Sequence, residues 1–349
     1  MKRLLLAALV PVLLLAGWAA FEGGGESFYL GGIQVNEPDH EAWVAALDEA
    51  GLNSVAVTVY AHQGDWDSSN LWFDEEAPWV LNEIRVAKRR GLHVVLVLRV
   101  ALDHAFEANR FLWHGMILPA SDEETDEWFR RYQAFVLRWA RLAEEEGVDV
   151  LAVASEMNAL TNTFPIDELP VLEEYWTNDE KVEREKARVM EHADELETVS
   201  LPVSGDDDYQ QLESYIDDKN RAHAAWARQV SEVGRPDALE RINRRRARLE
   251  TRWRELIDAV REEYSGELTY AANFDQYRFV AFWDALDLIA INAYFPLRRH
   301  LLPGERDADL LGVLETGWLG HLRAIDGFRR EQGIPDHRVL FTEIGYVNR

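Results

Sequence analysis

The stretch Val148-Asp149-Val150-Leu151-Ala152-Val153-Ala154-Ser155-Glu156 decides the fold. It is a continuous apolar run that ends on a carboxylate, the pattern of a parallel strand buried on both faces. A second stretch, Val339-Leu340-Phe341-Thr342-Glu343, repeats the pattern near the end of the chain. Carboxylates at the C-terminal ends of such strands sit where α/β barrels place their chemistry.

Working outward, further strand patterns fall at Tyr29–Val35, Asn53–Tyr60, His93–Val100, Leu268–Phe274 and Leu286–Tyr294, with the two quoted runs extending over Val148–Glu156 and Arg338–Glu343. Helical patterns alternate with them. Asp39–Ala50, Pro78–Arg90 and Thr125–Glu146 each stop at a glycine (Gly51, Gly91 and Gly147), where a helix C-terminus needs a left-handed residue. Seven βα steps predict a (β/α)8 TIM barrel rather than an open sheet. The chain stops six residues after Glu343, so the expectation is a barrel truncated before its eighth strand.

Between the fourth and fifth strands lies a long, charged stretch, residues 161–248, read as a helical insertion rising from the face that carries the site. From Asp237, the spacing of Leu239, Ile242, Leu249, Trp253, Leu256, Ile257 and Val260 predicts one long helix running to Tyr264. Residues 27–160 and 249–349 then form the barrel domain. Lys2-Arg3, an apolar run from Leu4 to Ala20 and a Gly-rich junction make residues 1–26 a signal peptide or an uncleaved N-terminal anchor. The folded part is expected to be secreted or periplasmic.

Composition narrows the function classes. A formal net charge of −26 argues against nucleic acid and anionic membrane surfaces as partners. With no cysteine, thiol nucleophiles and cysteine-ligated metals are excluded. His62, His93, His104 and His114 form neither a His-x-His strand end nor a His-Glu-x-x-His helix, so no metal and no cofactor is expected.

Taken alone, either glutamate reads equally well as a cap or an ion-pair partner. Taken together, they match the acid and nucleophile needed to split a glycosidic bond. One carboxyl must then keep its proton, which burial or a neighbouring negative charge would achieve. Ser155 and Asn158 beside Glu156, and Thr342 and Tyr346 beside Glu343, offer hydrogen bonds that could separate the roles. Arg99 ends the third strand, able to bind a sugar hydroxyl or steady a carboxylate. Asp103 and His104 follow it. Of Trp66, Trp72 and Trp79, one at most is expected as a sugar platform.

Several segments follow one another in a telling order: Trp113-His114-Gly115-Met116-Ile117, Ala154-Ser155-Glu156-Met157-Asn158, Leu268-Thr269-Tyr270-Ala271-Ala272-Asn273-Phe274, Phe282-Trp283-Asp284, Asn292-Ala293-Tyr294-Phe295-Pro296 and Phe341-Thr342-Glu343-Ile344-Gly345-Tyr346. Their order resembles the clan A glycoside hydrolases, and most of all the β-mannanases of family 113. The resemblance implies a retaining endo-acting enzyme on β-1,4-mannan-like polysaccharide, with Glu156 as acid/base and Glu343 as nucleophile. It also implies that Asn273, Tyr294 and Trp113 line the sugar site. Ser155 departs from the Asn that many clan A families carry before the acid/base, and the insertion leaves subsite number open. Two other readings stand beside it: the same mechanism on a different β-glycan, or a non-catalytic carbohydrate-binding protein on a barrel-derived fold.

Overall fold

The computed structural model describes residues 28–33, 39–74, 77–103, 113–168, 236–298 and 309–345. The leader, most of the stretch 161–248, His104 and Tyr346 lie outside the described residues. Among the described residues, seven parallel strands carry the fold: β1 (Gly31–Ile33), β2 (Ser54–Gln63), β3 (His93–Leu102), β4 (Val150–Ser155), β5 (Glu267–Asn273), β6 (Leu288–Asn292) and β7 (Arg338–Glu343). They pair in chain order from β1 to β7, each neighbour parallel, as successive right-handed βα units require. β1 and β7 both line one narrow cavity of about 60 Å³, so the sheet curls into a nearly closed barrel. A short antiparallel strand, Leu71–Trp72, pairs with the end of β2 and has no counterpart in the sequence reading.

Helices α1 (His40–Glu49), α2 (Pro78–Arg89), α3 (Asp122–Glu146), α4 (Asn158–Thr161), α5 (Ala238–Arg261) and α6 (Leu310–Glu331) follow the strands. Gly51, Gly91 and Gly147 take φ of 79°, 76° and 65°, the left-handed turn anticipated after each helix. α3 starts three residues earlier than its apolar stripe indicates, because the Ser121 side chain accepts from Glu124 N at 3.1 Å and caps it.

Alternation along the strands sorts two cores. Val95, Val97, Val150, Ala152, Ala271 and Leu288 fill the inside of the barrel. Val94, Leu96, Leu98, Leu151, Val153, Ile289 and Ile291 face the helices in the larger outer core. β4 and β6 are buried along their whole length, as their uninterrupted apolar runs predict.

α5 is the single long helix expected from residue 237 onward. It buries Ile242, Leu249, Trp253, Leu256, Ile257 and Val260. Against α3, Trp253 meets the Phe129 ring edge-on at 5.2 Å. Asp126 of α3 accepts from Arg248 at 2.5 Å and Arg252 at 2.9 Å. The first residues after α4 are also fastened down: Asn243 exchanges two hydrogen bonds of 2.8 Å with the backbone of Ile166.

Candidate active site

Strand parity explains which side chains reach the mouth of the barrel. Ala56 and Val95 belong to the inner core, and two-residue steps from them bring Tyr60 and Arg99 to its C-terminal end as register partners. On β5 and β6 the same count brings Asn273 and Asn292 together, again as partners.

The two glutamates do not follow simple parity. On β7, Val339 and Phe341 face outward, so strict alternation would send Glu343 outward too. The register shifts between Ile291 and Asn292, and Glu343 comes to lie opposite inward-facing Asn292. On β4 a second shift, between Ala152 and Ser155, sets Ser155 opposite Ala271. The next residue, Glu156, then turns through a φ of 51°, the one positive φ at a non-glycine among the described residues. Its amide still donates to Ala271 O at 2.8 Å. A left-handed glutamate costs about 1–3 kcal/mol, and such strain gathers where a side chain must be aimed. Both irregularities fall at the two carboxylates.

Arg99 bonds one of them and acts on the other through its charge. Its Nη2 donates to Glu343 Oε1 at 2.5 Å and to Ser155 Oγ at 3.0 Å. Burial works against the guanidinium charge, but Glu343 above all, with Tyr60 and Glu156, more than compensates and raises its pKa. Tyr294 OH donates to the other oxygen of Glu343 at 2.7 Å. Burial, that hydrogen bond and the carboxylate charge push the phenol up to about 12. Thr342 donates to Asn292 Oδ1 at 2.6 Å and does not touch Glu343.

Around Glu156 the balance differs from the expectation of a raised pKa. Burial does push its carboxyl up. The close His114 ring, the Asn292 amide and the charges of His114 and Arg99 outweigh burial and hold it below the usual glutamate range. His114 Nε2 lies 3.3 Å from Glu156 Oε2.

Other expected residues take graded places. Trp113 stands beside this site, half-buried and edge-on to His114 at 5.2 Å. Asn158, in the first turn of α4, is buried without bonding Glu156; its Oδ1, Asn273 Oδ1 and Arg99 Nε are buried with no protein hydrogen-bond partner. Such atoms suit a polyhydroxyl ligand. Asp103 pairs with His62 at 3.0 Å, and His62 stacks on Trp72 at the rim. Trp66 is packed against the outer core, while Trp72 and Trp79 are each about two-fifths exposed. Among the described residues no group of three or more His, Asp or Glu side chains converges as a metal site. Tyr60, His114 and Asn292 escaped the sequence reading as site residues. For Tyr60 and Asn292 the available signal was two-residue counting from the inner core.

The model of Glycoside Hydrolase Family 113 matches residues 33–163 and 240–349, flanking the insertion. The chain belongs to Glycoside Hydrolase Family 113. It is therefore a glycoside hydrolase on a TIM barrel, as the resemblance implied. Solved structures of family 113 share the fold. One, a β-1,4-mannanase in complex form, is 18% identical and covers 90% of this chain and 72% of its own, with a TM-score of 0.51. Another, the β-mannanase AaManA from Alicyclobacillus acidocaldarius in complex with ManMIm, is 17% identical and covers 92% of this chain and 72% of its own, with a TM-score of 0.53. No curated protein sequence matches the chain.

Proposed function

We propose that this family 113 glycoside hydrolase is a retaining endo-β-1,4-mannanase in which Glu343 is the nucleophile and Glu156 the acid/base. The observation that carries the reading is the arrangement of two strand-end carboxylates around one guanidinium, each re-aimed by a break in strand register. Glu343 accepts from Arg99 and from Tyr294, which orients its lone pairs for attack on an anomeric carbon. Glu156 lies against the His114 ring and the Asn292 amide, and a carboxyl facing a histidine has the surroundings of a group that exchanges a proton.

In the first step Glu343 displaces the leaving sugar while Glu156 protonates the departing oxygen. In the second, Glu156 takes a proton from water as that water opens the glycosyl ester. Asn273, Asn158, Trp113 and Arg99 are proposed to hold the sugar beside the reacting carbon, the unpaired polar atoms taking its hydroxyls. Tyr346 joins them in the proposal from its place three residues after Glu343. Mannose as the sugar, and export of the enzyme, rest on the resemblance and on the leader pattern. The two solved relatives are β-mannanases, which supports mannan.

The test is hydrolysis of a polysaccharide panel with anomeric analysis of fresh products by NMR. Release of β-configured mannooligosaccharides from β-1,4-mannan, absent in Glu343→Gln, is the expected outcome. Turnover confined to another β-glycan would replace the substrate, and α-configured products would replace the mechanism.

A further inference from the structure

An acid catalyst must carry a proton when the glycosidic oxygen departs, yet the surroundings of Glu156 favour its ionised form. The proton needs another residence close by, and His114 has the geometry for it. His114 opens a single 3-10 turn, His114–Met116, in the loop between β3 and α3. Met116 N donates to Trp113 O at 2.9 Å, and Ile117 N to His114 O at 3.1 Å, closing the turn. Leu118 N donates to Trp66 O at 2.9 Å and ties the turn to the loop after β2. The Trp113 indole lies over Gly115, where an added Cβ would come within 2.3 Å of the ring, so only glycine admits this packing. The same indole stands edge-on to the imidazole.

These contacts hold Nε2 at 3.3 Å from Glu156 Oε2, with only 17% and 14% of the two side chains exposed. Nε2 is buried, makes no hydrogen bond to any described residue, and has Glu156 Oε2 within ion-pair range. Arg99 from β3, Tyr270 from β5 and Tyr294 after β6 couple to Glu156, and Glu343 from β7 couples in turn to Arg99 and Tyr294. Burial raises Tyr270, and Tyr294 is held at about 12, so neither phenol competes for the proton near neutral pH.

We propose that His114 and Glu156 form a proton-sharing pair, in which His114 Nε2 stores the proton that Glu156 delivers to the leaving oxygen. This rests on the reading of Glu156 as the acid/base. The resting pair is imidazolium and carboxylate. As the glycosidic C–O bond breaks and the Glu343 ester forms, the proton passes from Nε2 to Oε2, and the carboxylic O–H turns to protonate the departing oxygen. His114 is then neutral and Glu156 ionised. When water attacks the ester, Glu156 takes a proton from it and returns that proton to Nε2, and Glu343 leaves as carboxylate. The cycle closes with every proton placed.

Loss of the pair's single shared proton then sets the alkaline limb of kcat/KM. In His114→Gln that limb moves to lower pH by about one unit or more, and turnover of mannooligosaccharides falls at least tenfold, within the ~10²–10⁴ range of acid catalysis. A dinitrophenyl β-mannoside, whose leaving group needs no proton, keeps nearly its wild-type first step. An unmoved alkaline limb in folded His114→Gln overturns the proposal. A second measurement needs no turnover and no His114 variant: 15N NMR titration of the imidazole in wild type and in Glu156→Gln. A shared proton predicts a His114 midpoint higher by about one unit in wild type. Equal midpoints overturn the pair even in an active enzyme, whereas a chain that hydrolyses no glycoside overturns the role of Glu156 and leaves the pairing result standing.

Discussion

Arg99 and Glu343 meet inside the barrel at 2.5 Å, each with only 18% of its side chain exposed. The two residues are 244 positions apart in sequence. A buried carboxylate that loses its cation is left with an uncompensated charge. Arg99→Met is expected to lower kcat/KM by about 10²–10³, the loss typical of one preorganised electrostatic donor. Arg99→Lys recovers only part, because a point-charge ammonium lacks the further guanidinium donors, among them the buried Nε left free for a sugar hydroxyl. Steady-state kinetics on mannan decide it. Arg99→Met at the wild-type rate would remove Arg99 from the site.

Tyr294 holds the second oxygen of Glu343 at 2.7 Å and, pushed up to about 12, remains a neutral donor wherever the enzyme works. Tyr294→Phe deletes one hydrogen bond to a charged acceptor, worth about 1.5–3 kcal/mol, so kcat should fall roughly ten- to a hundredfold. The profile should lose height and keep its alkaline limb. Loss of that limb in Tyr294→Phe would show that the phenol itself titrates in catalysis.

Trp72 is the rim aromatic with its face available. It is 41% exposed, stacked on His62 at 6.2 Å, and His62 is fixed by Asp103. Trp66 is packed inward, and Trp79 opens α2 on the outside of the barrel. Trp72→Ala should raise KM for polymeric mannan about three- to tenfold, matching the loss of one stacking contact, with kcat nearly unchanged. Equal KM values for wild type and variant would take Trp72 out of the substrate path.

Much of the architecture was legible for local reasons. Buried parallel strands need uninterrupted apolar runs, and left-handed helix ends need glycine, so β4, Gly51, Gly91 and Gly147 declared themselves, while β7 formed where expected but is only half-buried. α5 was readable beyond the insertion because Trp253, Leu256, Ile257 and Val260 share one face. What stayed hidden depends on register. Strict alternation from Leu340 would turn Glu343 away from the barrel interior, and only the shift beside Asn292 turns it in. No residue type announces that shift. His114 was given no catalytic role, since its approach to Glu156 is made by a turn that Trp113 and Gly115 shape together. The lowered pKa of Glu156 follows from the same hidden contact.

Glu83 makes a prediction about stability rather than chemistry. It lies fully buried on α2, with neither carboxyl oxygen hydrogen-bonded, and burial pushes it from an ordinary 4.5 up to about 8. The folded chain therefore binds this proton more tightly than the unfolded one. The resulting stability is complete below the ordinary value and is lost as pH rises through the folded one. Glu83→Gln should match wild type in Tm at about pH 4 and exceed it by several degrees at about pH 9, at roughly 2–4 °C per kcal/mol. Parallel Tm curves across that range would show that Glu83 is paired or hydrated in the folded state.

The central claim is that Glu343 forms a covalent bond to the sugar while Glu156 handles the proton. The most direct measurement is mass spectrometry of the enzyme after exposure to an activated 2-deoxy-2-fluoro-β-mannoside, followed by peptide mapping. The account predicts one added fluoromannosyl group, carried by Glu343, on wild type and none on Glu343→Gln. A label on any other residue, or rapid turnover to an inverted product without a trapped ester, would contradict it.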